Sequence, residues 1–261
     1  MLDLLHQLAV AVAPTRREAL LAHLKSLSLN VIEEQLEING YAPVNIRVPL
    51  HQHTPHFLIG AHYDAVPNSP GANDNAAALV ILLEILRLHL QQQLFLPAIE
   101  FVFFDLEEAE MQGSLAYTQH HDLSRIHGMI NLDLCGVGEH VLIAEGSRYR
   151  NPTLTQAIDA TVLEEARVQR IECLPQSDDY YFEGMRVPTA SICCVPGKDV
   201  ATFHTLARAL RGEAVIQSFP TIFETMHNRS RDTVDVVELS AMQHTCAVVI
   251  SLLKHLSRSG T

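Results

Sequence analysis

Basic residues are scarce in this chain of 261 residues, where 18 lysines and arginines stand against 30 aspartates and glutamates for a net charge of −12. A surface that binds a phosphate backbone needs clustered lysine and arginine side chains. We therefore expect no nucleic acid partner. The acidic field instead favours cationic groups, such as the free amino end of a peptide.

Cysteines are few and show no paired pattern. Their number, 5, is odd, and their spacing offers neither a disulfide framework nor the Cys-x-x-Cys of a zinc knuckle. This usage is typical of a reducing compartment and predicts a cytoplasmic location. Residues 1–14 carry an apolar run, but they include Asp3 and no lysine or arginine before Arg16. Because a secretory leader begins with basic residues, we expect a helix here instead.

Long apolar runs are also missing. The longest, residues 76–83, is followed by Glu84 and Arg87, whereas a membrane span needs ~20 apolar residues, so no membrane association is expected. Apolar residues nevertheless make up 48% of the chain and charged residues 18%, which is typical of a globular protein. With no internal repeat or linker, we expect residues 1–261 to form a single domain.

Strand and helix patterns alternate along the chain. Thr15 and Glu18 are spaced as a capping box that would open a helix extending to about residue 27. Further helices are predicted at residues 76–91, from residue 152 with Asn151 as its cap, and at residues 239–256. Strands are predicted at residues 31–38, 44–49, 56–61, 99–104, 128–134, 140–144 and 189–195. This alternation predicts an α/β class with a mixed central β-sheet flanked by helices.

Polar residues that directly follow apolar strands deserve the closest reading, because ligands of open α/β sheets bind beyond the carboxyl ends of strands. His62 and Asp64 follow the strand predicted at residues 56–61. Strand side chains alternate, so the two point the same way, and the carboxylate could hold the imidazole while its other nitrogen binds a metal. On its own, a His-x-Asp pair favours the simpler interpretation of a strand-end hydrogen bond.

Five more residues are candidates for the same site. Asp74 precedes the buried helix and could be only its cap. The adjacent Glu107 and Glu108 follow the strand at residues 99–104, where a buried pair would need a neutralising cation, although an exposed acidic loop is the alternative. Asp133 interrupts an apolar strand, and His227 is the best candidate for a later imidazole ligand. Together, imidazole and carboxylate ligands favour zinc, or less specifically manganese or cobalt.

These motifs resemble those of a known family. The chain is similar to the di-zinc aminopeptidases related to bacterial leucyl aminopeptidase, aminopeptidase Y and glutamate carboxypeptidase II. The resemblance implies a zinc-dependent exopeptidase that holds two zinc ions and acts on peptides or amino-acid conjugates. The segments that carry it are residues 60–64, 71–75, 101–114, 131–136, 177–188 and 227–233.

The resemblance also implies a role for each site residue. Asp74 would bridge the two zinc ions, Glu107 would be the general base, and Asp64 would orient the histidine ligand. The implied metal ligands are His62, Asp74, Glu108, Asp133 and His227.

The chain departs from this family at three places. Members place an aspartate four residues after the last histidine, whereas Asp232 lies five residues after His227. Members often have Ser-Asp-His where this chain has Ser177, Asp178 and Asp179. Some carry an oxyanion-stabilising tyrosine where Leu174 stands.

Two alternatives remain beside the metallo-aminopeptidase. Glutaminyl cyclases share the fold and most motifs but resemble a single-zinc site with tryptophans beside the substrate. This chain contains no tryptophan. Met226 precedes the last histidine, at the position where cyclases carry a tryptophan. The third hypothesis is a non-catalytic binding module with a vestigial site, which the full set of ligand residue types disfavours.

Overall fold

An eight-stranded mixed β-sheet forms the centre of the molecule. The computed structural model describes residues 1–10, 13–50, 56–146, 148–227 and 230–259. Its strands are β1 (Ile32–Gln35), β2 (Val44–Pro49), β3 (His56–His62), β4 (Ile99–Phe104), β5 (Ile126–Leu132), β6 (His140–Glu145), β7 (Val168–Ile171) and β8 (Thr189–Val195). They lie in the order β1-β2-β4-β3-β5-β8-β6-β7.

The four central strands β4, β3, β5 and β8 are parallel, so their carboxyl ends share one edge of the sheet. On one side, β1 and β2 pair antiparallel with each other, and β2 pairs antiparallel with β4. On the other side, β6 runs antiparallel to β8, and β7 is parallel to β6. The sheet is therefore mixed only at its flanks, and its parallel centre provides the edge where ligand sites of this architecture form.

Helices cover both faces of the sheet. They are α1 (Leu2–Leu8), α2 (Ala13–Ser26), α3 (Ala77–Leu90), α4 (Gln112–His120), α5 (Pro152–Glu164), α6 (Asp179–Gly184), α7 (Gly197–Leu210) and α8 (Leu239–Ser259). Residues of α1, α2, α3, α5 and α8 pack with one face of the strands. Residues of α4, α6 and α7 pack with the other. Because both faces are covered, β4 and β8 are buried along their whole length.

The predicted α/β class, with a mixed sheet between helices, is confirmed. The strands predicted at residues 44–49, 99–104 and 189–195 match β2, β4 and β8. Asn151 caps α5, and its side chain accepts hydrogen bonds from the backbone N–H groups of Thr153 and Leu154. None of the described helices combines the length and apolar composition needed to cross a bilayer.

Several predicted elements were wrong in detail. Thr15 lies inside α2 (Ala13–Ser26), so it does not open this helix. The helix expected over residues 1–14 ends at Leu8, although a second one has begun by Ala13. Strand β1 is half as long as predicted, because its regular pairing with β2 ends at Gln35. Only an isolated bridge between Ile38 and Tyr41 follows, around the turn at Asn39 and Gly40. The short β7 and the helices α4 and α6 were not predicted, since their apolar periodicity is weak or brief. Helix α7 was also missed, although its apolar residues recur at helical spacing over 14 residues.

Helix α3 is the most deeply buried helix of the core, and it begins directly after the turn that contains Asp74. We expect Leu82→Ala in α3 to lower the free energy of unfolding by ~2–5 kcal/mol, because a fully buried leucine is replaced by a cavity. Leu163→Ala is the matched control: that side chain is 86% exposed, and its loss should change stability by less than ~0.5 kcal/mol. Urea unfolding of both variants checks this. Similar losses in the two would contradict the packing described here.

Candidate metal centre

The sequence-predicted site residues meet at the carboxyl edge of the parallel strands. His62 is the last residue of β3, Glu107 and Glu108 lie in the loop after β4, and Asp133 directly follows β5. Asp74 lies in an irregular turn at Ala72–Ala76 that precedes α3. The parallel pairing of β3 with β4 and β5 brings these strand ends side by side.

The first group of ligand-type atoms comprises His62, Asp74 and Asp133. The Nε2 atom of His62 lies 3.3 Å from Oδ1 of Asp74 and 3.7 Å from Oδ1 of Asp133. One atom from each of the three residues can be chosen so that all lie within 4.8 Å of one another. His62 and Asp74 are buried, and Asp133 is partly exposed. The group therefore presents one imidazole nitrogen and two carboxylate oxygens to a common point.

The second group comprises Asp74, Glu108 and His227, again within 4.8 Å. The Nε2 atom of His227 lies 3.2 Å from Oε2 of Glu108. The backbone N–H of His227 donates to Oδ2 of Asp74 at 3.1 Å. Asp74 thus belongs to both groups, and its two oxygens face different histidines.

Glu107 stands between these groups without belonging to either. Its Oε2 lies 3.9 Å from Nε2 of His62. Burial, reinforced by the negative charges of Asp133 and Asp178, raises the pKa of Glu107 to about 10. The pKa of Glu108 rises to about 8, chiefly through burial and the charge of Asp74. In the absence of a cation, the centre therefore favours protonated carboxyls.

Asp64 fastens two parts of the centre together. Its Oδ1 lies 3.3 Å from Nδ1 of His62. The same carboxylate accepts hydrogen bonds from the backbone N–H groups of Glu107 at 3.0 Å and Glu108 at 3.1 Å. Asp64 thus holds both the imidazole and the loop that carries the two glutamates.

Asp232 supports the turn that carries Asp74. Its carboxylate accepts hydrogen bonds from the backbone N–H groups of Asn73 at 2.6 Å and Asp74 at 3.2 Å. The additional residue between His227 and Asp232 therefore leaves this carboxylate within reach of the turn. The sequence motif drew attention to Asp232. Its hydrogen bonds to the turn could not be predicted, because they join residues more than 150 positions apart.

Arg16 is the main residue of the centre that sequence reasoning missed. The side chain is fully buried, and its guanidinium donates to the carbonyl oxygens of five residues. One is in the N-terminal region, and four lie in the loops that lead to the ligands. These are Leu8, Tyr63, Asp64, Pro70 and Gly71. Gly71 has a φ of +56°, and a Cβ there would lie 2.5 Å from Nη2 of Arg16, so the close approach requires glycine.

The residues present fit a divalent cation. Three buried acceptor atoms make no hydrogen bond to the described part of the protein: Nε2 of His62, Oε2 of Glu108 and Oδ1 of Asp133. Burial disfavours a charged imidazole, yet the charge of Glu107 and the nearby carboxylate acceptors of Asp64, Asp74 and Asp133 raise the pKa of His62 well above its ordinary value. Without a metal, a proton on His62 partly balances the charge of these carboxylates. A metal ion at the same position would bind the imidazole and the carboxylates together, and this combination of donors is typical of zinc sites.

Comparison with known proteins agrees with this chemistry. Residues 45–253 match the model of Peptidase family M28. The chain belongs to peptidase family M28. Its relatives include a metallopeptidase and an aminopeptidase.

Two curated relatives illustrate the match. Human (Homo sapiens) endoplasmic reticulum metallopeptidase 1 is 39% identical over 209 residues, which cover 77% of this M28 chain and 20% of that protein. Aminopeptidase YwaD of Bacillus subtilis is 37% identical over 97 residues, covering 36% of this chain and 20% of that one. The chain thus spans about a fifth of the length of the endoplasmic reticulum metallopeptidase.

Solved structures share the fold at lower identity. Porphyromonas gingivalis glutaminyl cyclase superposes with a TM-score of 0.74 at 20% identity, covering 97% of this chain and 96% of that chain. The zinc aminopeptidase BSAP from Bacillus subtilis gives a TM-score of 0.60 at 19% identity, covering 81% and 49%. Both an aminopeptidase and a cyclase therefore have this fold, and the fold alone does not separate the two activities.

The raised carboxyl pKa values predict a pH dependence of the metal-free protein. Glu107 and Glu108 hold protons in the folded state up to about pH 10 and about pH 8, whereas unfolded glutamates ionise near pH ~4.3. The folded state therefore binds more protons, and its stability should fall between about pH 5 and about pH 8, by ~1.4 kcal/mol per pH unit for each such proton. Urea unfolding with a chelator measures this.

Excess zinc is the control for that titration. Metal binding requires deprotonated ligands, so the free energy of unfolding of the zinc-loaded protein should stay constant or rise with pH over this interval. A chelated protein whose stability rises with pH over the same interval would contradict the burial of these carboxyls.

The contacts of Arg16 predict that it stabilises the whole centre. Arg16→Met would leave buried carbonyl oxygens without donors, so we expect the free energy of unfolding to fall by at least ~3 kcal/mol. The adjacent Arg17 is partly exposed, and Arg17→Met should lose less than ~1 kcal/mol. Thermal and urea unfolding of the chelated proteins distinguish the two variants, and equal losses would rule out this role of Arg16.

Proposed function

We propose that the chain is a metallo-aminopeptidase that removes the N-terminal residue of peptides or amino-acid conjugates with two zinc ions. The observation that carries the proposal is the double membership of Asp74 in two groups of ligand-type atoms. A residue that offers one oxygen to each of two groups is suited to bridge two ions. His62 and Asp133 would complete one site, and Glu108 and His227 the other.

The residues of the centre have separate tasks. When bound, two zinc ions supply Lewis acidity that polarises the scissile carbonyl and makes water a better nucleophile at neutral pH. Asp64 holds the Nδ1 side of His62, which leaves Nε2 free for coordination. Asp232 and Arg16 hold the backbone of the ligand loops through the hydrogen bonds described above.

Glu107 is the proposed general base. Its carboxylate takes a proton from the attacking water, whose oxygen bonds to the carbonyl carbon of the substrate. The carbon–nitrogen bond then breaks, and Glu107 returns the proton to the leaving amine. The raised pKa of Glu107 belongs to the metal-free centre. Bound cations would lower it, and the carboxylate would then be free to take the proton.

A free amino end is the feature that we propose the site selects. The carboxylates of Asp74, Glu107, Glu108 and Asp133 crowd one edge of the sheet, and the whole chain has a net charge of −12. A substrate ammonium group is attracted to such a surface, whereas a blocked amino end is not. We also propose the cytoplasmic location predicted from the cysteines, all five of which are free thiols.

Glutaminyl cyclisation is the second candidate. The observation in its favour is the superposition on a glutaminyl cyclase over 97% of this chain and 96% of that one. Against it, the chain has no tryptophan. In addition, Met226 before His227 packs against a hydrophobic cluster of the core. A cyclase would hold one zinc ion, and a non-catalytic binding module would show no turnover.

Metal stoichiometry and one substitution test the proposal together. Zinc-saturated, desalted protein should contain two zinc ions per chain by elemental analysis, and Asp74→Ala should lower that number. Glu107→Gln should keep the zinc and lower kcat for aminoacyl arylamides by at least ~100-fold, the usual contribution of a general base. Glu110→Gln is the matched control, because Glu110 is exposed in the same loop.

The outcomes separate the candidates. One tightly held zinc ion with cyclisation of N-terminal glutamine peptides would establish the cyclase. Zinc binding with no turnover of any peptide would favour the binding module. Near wild-type hydrolysis by zinc-loaded Glu107→Gln would refute the assigned base.

A further inference from the structure

A cavity of about 570 Å³ lies on the face of the sheet covered by α4 and α6. Its apolar wall includes Leu115 of α4 and Tyr181 and Met185 around α6, and Ser191 of β8 forms part of its polar wall. Ligand pockets usually measure ~300–1,000 Å³. The cavity is thus large enough for an amino-acid side chain.

Strand pairing places this cavity next to the metal centre. Ser191 of β8 lies opposite Asn131 of β5, and Asp133 follows two residues further along the same strand on the same face. Two strand residues cover ~7 Å, which a long extended side chain can span. Asp179 lines the cavity as well, and it directly follows Asp178, whose charge acts on Glu107.

Two of the acidic residues around the cavity are already neutralised by arginines. Glu145 forms an ion pair with Arg170. Glu172 forms one with Arg211. A ligand in the cavity would therefore meet little net negative charge from these two carboxylates.

Asp179 and Glu183 are different. No lysine or arginine of the described residues forms an ion pair with either. Arg148 lines the cavity too, and its backbone N–H donates to Oε1 of Glu183 at 3.0 Å. Burial, and then the charges of Glu183 and Asp133, raise the pKa of Asp179 to about 6, so it is mainly ionised at neutral pH. Two carboxylates against the one arginine of the lining leave this part of the cavity with a net negative charge.

A second observation points to a polar ligand. Ser191 is only 7% exposed, and its hydroxyl lines the cavity beside the carboxylate of Asp179, where it makes no well-aligned hydrogen bond to the described part of the protein. A buried hydroxyl is normally satisfied.

We propose that this cavity binds the cationic side chain of a lysine or arginine at the amino end of the substrate, with Asp179 and Glu183 as its counterions. The apolar wall would contact the aliphatic stem of such a side chain. The inference rests on the proposed aminopeptidase function, because the first residue of the peptide substrate would occupy the cavity.

The test compares a cationic substrate with a neutral one of similar length. Lysyl and norleucyl arylamides are hydrolysed by the zinc-loaded protein, and the ratio of their kcat/KM values is measured. We expect the wild-type ratio to favour lysyl by at least ~10-fold, the scale of one charge-assisted hydrogen bond. Asp179→Asn and Glu183→Gln should each lower the ratio, and Asp179→His should lower it most because it removes the negative charge and can add a positive one.

Asp3→Asn is the control, since Asp3 is exposed on α1, which packs on the opposite face of the sheet. This variant should keep the wild-type ratio. A wild-type ratio of one or less, or a ratio that Asp179→Asn and Glu183→Gln leave unchanged, would overturn the proposal while leaving the peptidase function intact.

A binding experiment tests the cavity separately from the aminopeptidase function if no aminoacyl arylamide is hydrolysed. That result would refute the proposed function. Calorimetry with lysinamide and norleucinamide on the zinc-loaded wild-type protein then decides the cavity alone. Lysinamide binding at least ~10-fold tighter would support the cation site, and equal affinities would refute it.

Discussion

Repulsion among carboxylates at one edge of the sheet is the constraint on which the rest of the structure depends. Asp74, Glu107, Glu108 and Asp133 approach each other in a largely buried space. Unpaired buried charges are strongly unfavourable, so such a group forms only where the backbone holds it firmly and a cation can neutralise it. The molecule meets the first condition with Asp64, Asp232 and Arg16, which all bind main-chain atoms of the ligand loops.

The core makes this arrangement possible. The parallel strands β3, β4 and β5 are buried on both faces, and α3 begins directly after the turn that carries Asp74. Apolar packing thus fixes the strand ends and the start of α3 relative to each other. The energy that assembles the charged centre therefore comes from residues that take no part in its chemistry.

Much of the centre could be predicted from sequence because its signals are local. Polar residues follow apolar strands, and alternation along the chain correctly placed Asp64 beside the imidazole of His62. Signals that depend on tertiary contacts were invisible. Arg16 resembles an ordinary polar residue of an amphipathic helix, and its partners lie in loops about 50 residues away. Similarly, β7 and α6 are too short for a periodic pattern, so the position of the cavity beside Asp179 required the structure.

The guanidinium of Arg16 also bears on where the functional unit begins. The family match starts at residue 45, yet this side chain lies well before that point and joins the end of α1 to the loops around Gly71. A boundary drawn from family similarity alone would therefore cut through the support of the ligand loops. The two N-terminal helices therefore belong to the same structural unit as the candidate metal centre, although the family's shared motifs lie elsewhere.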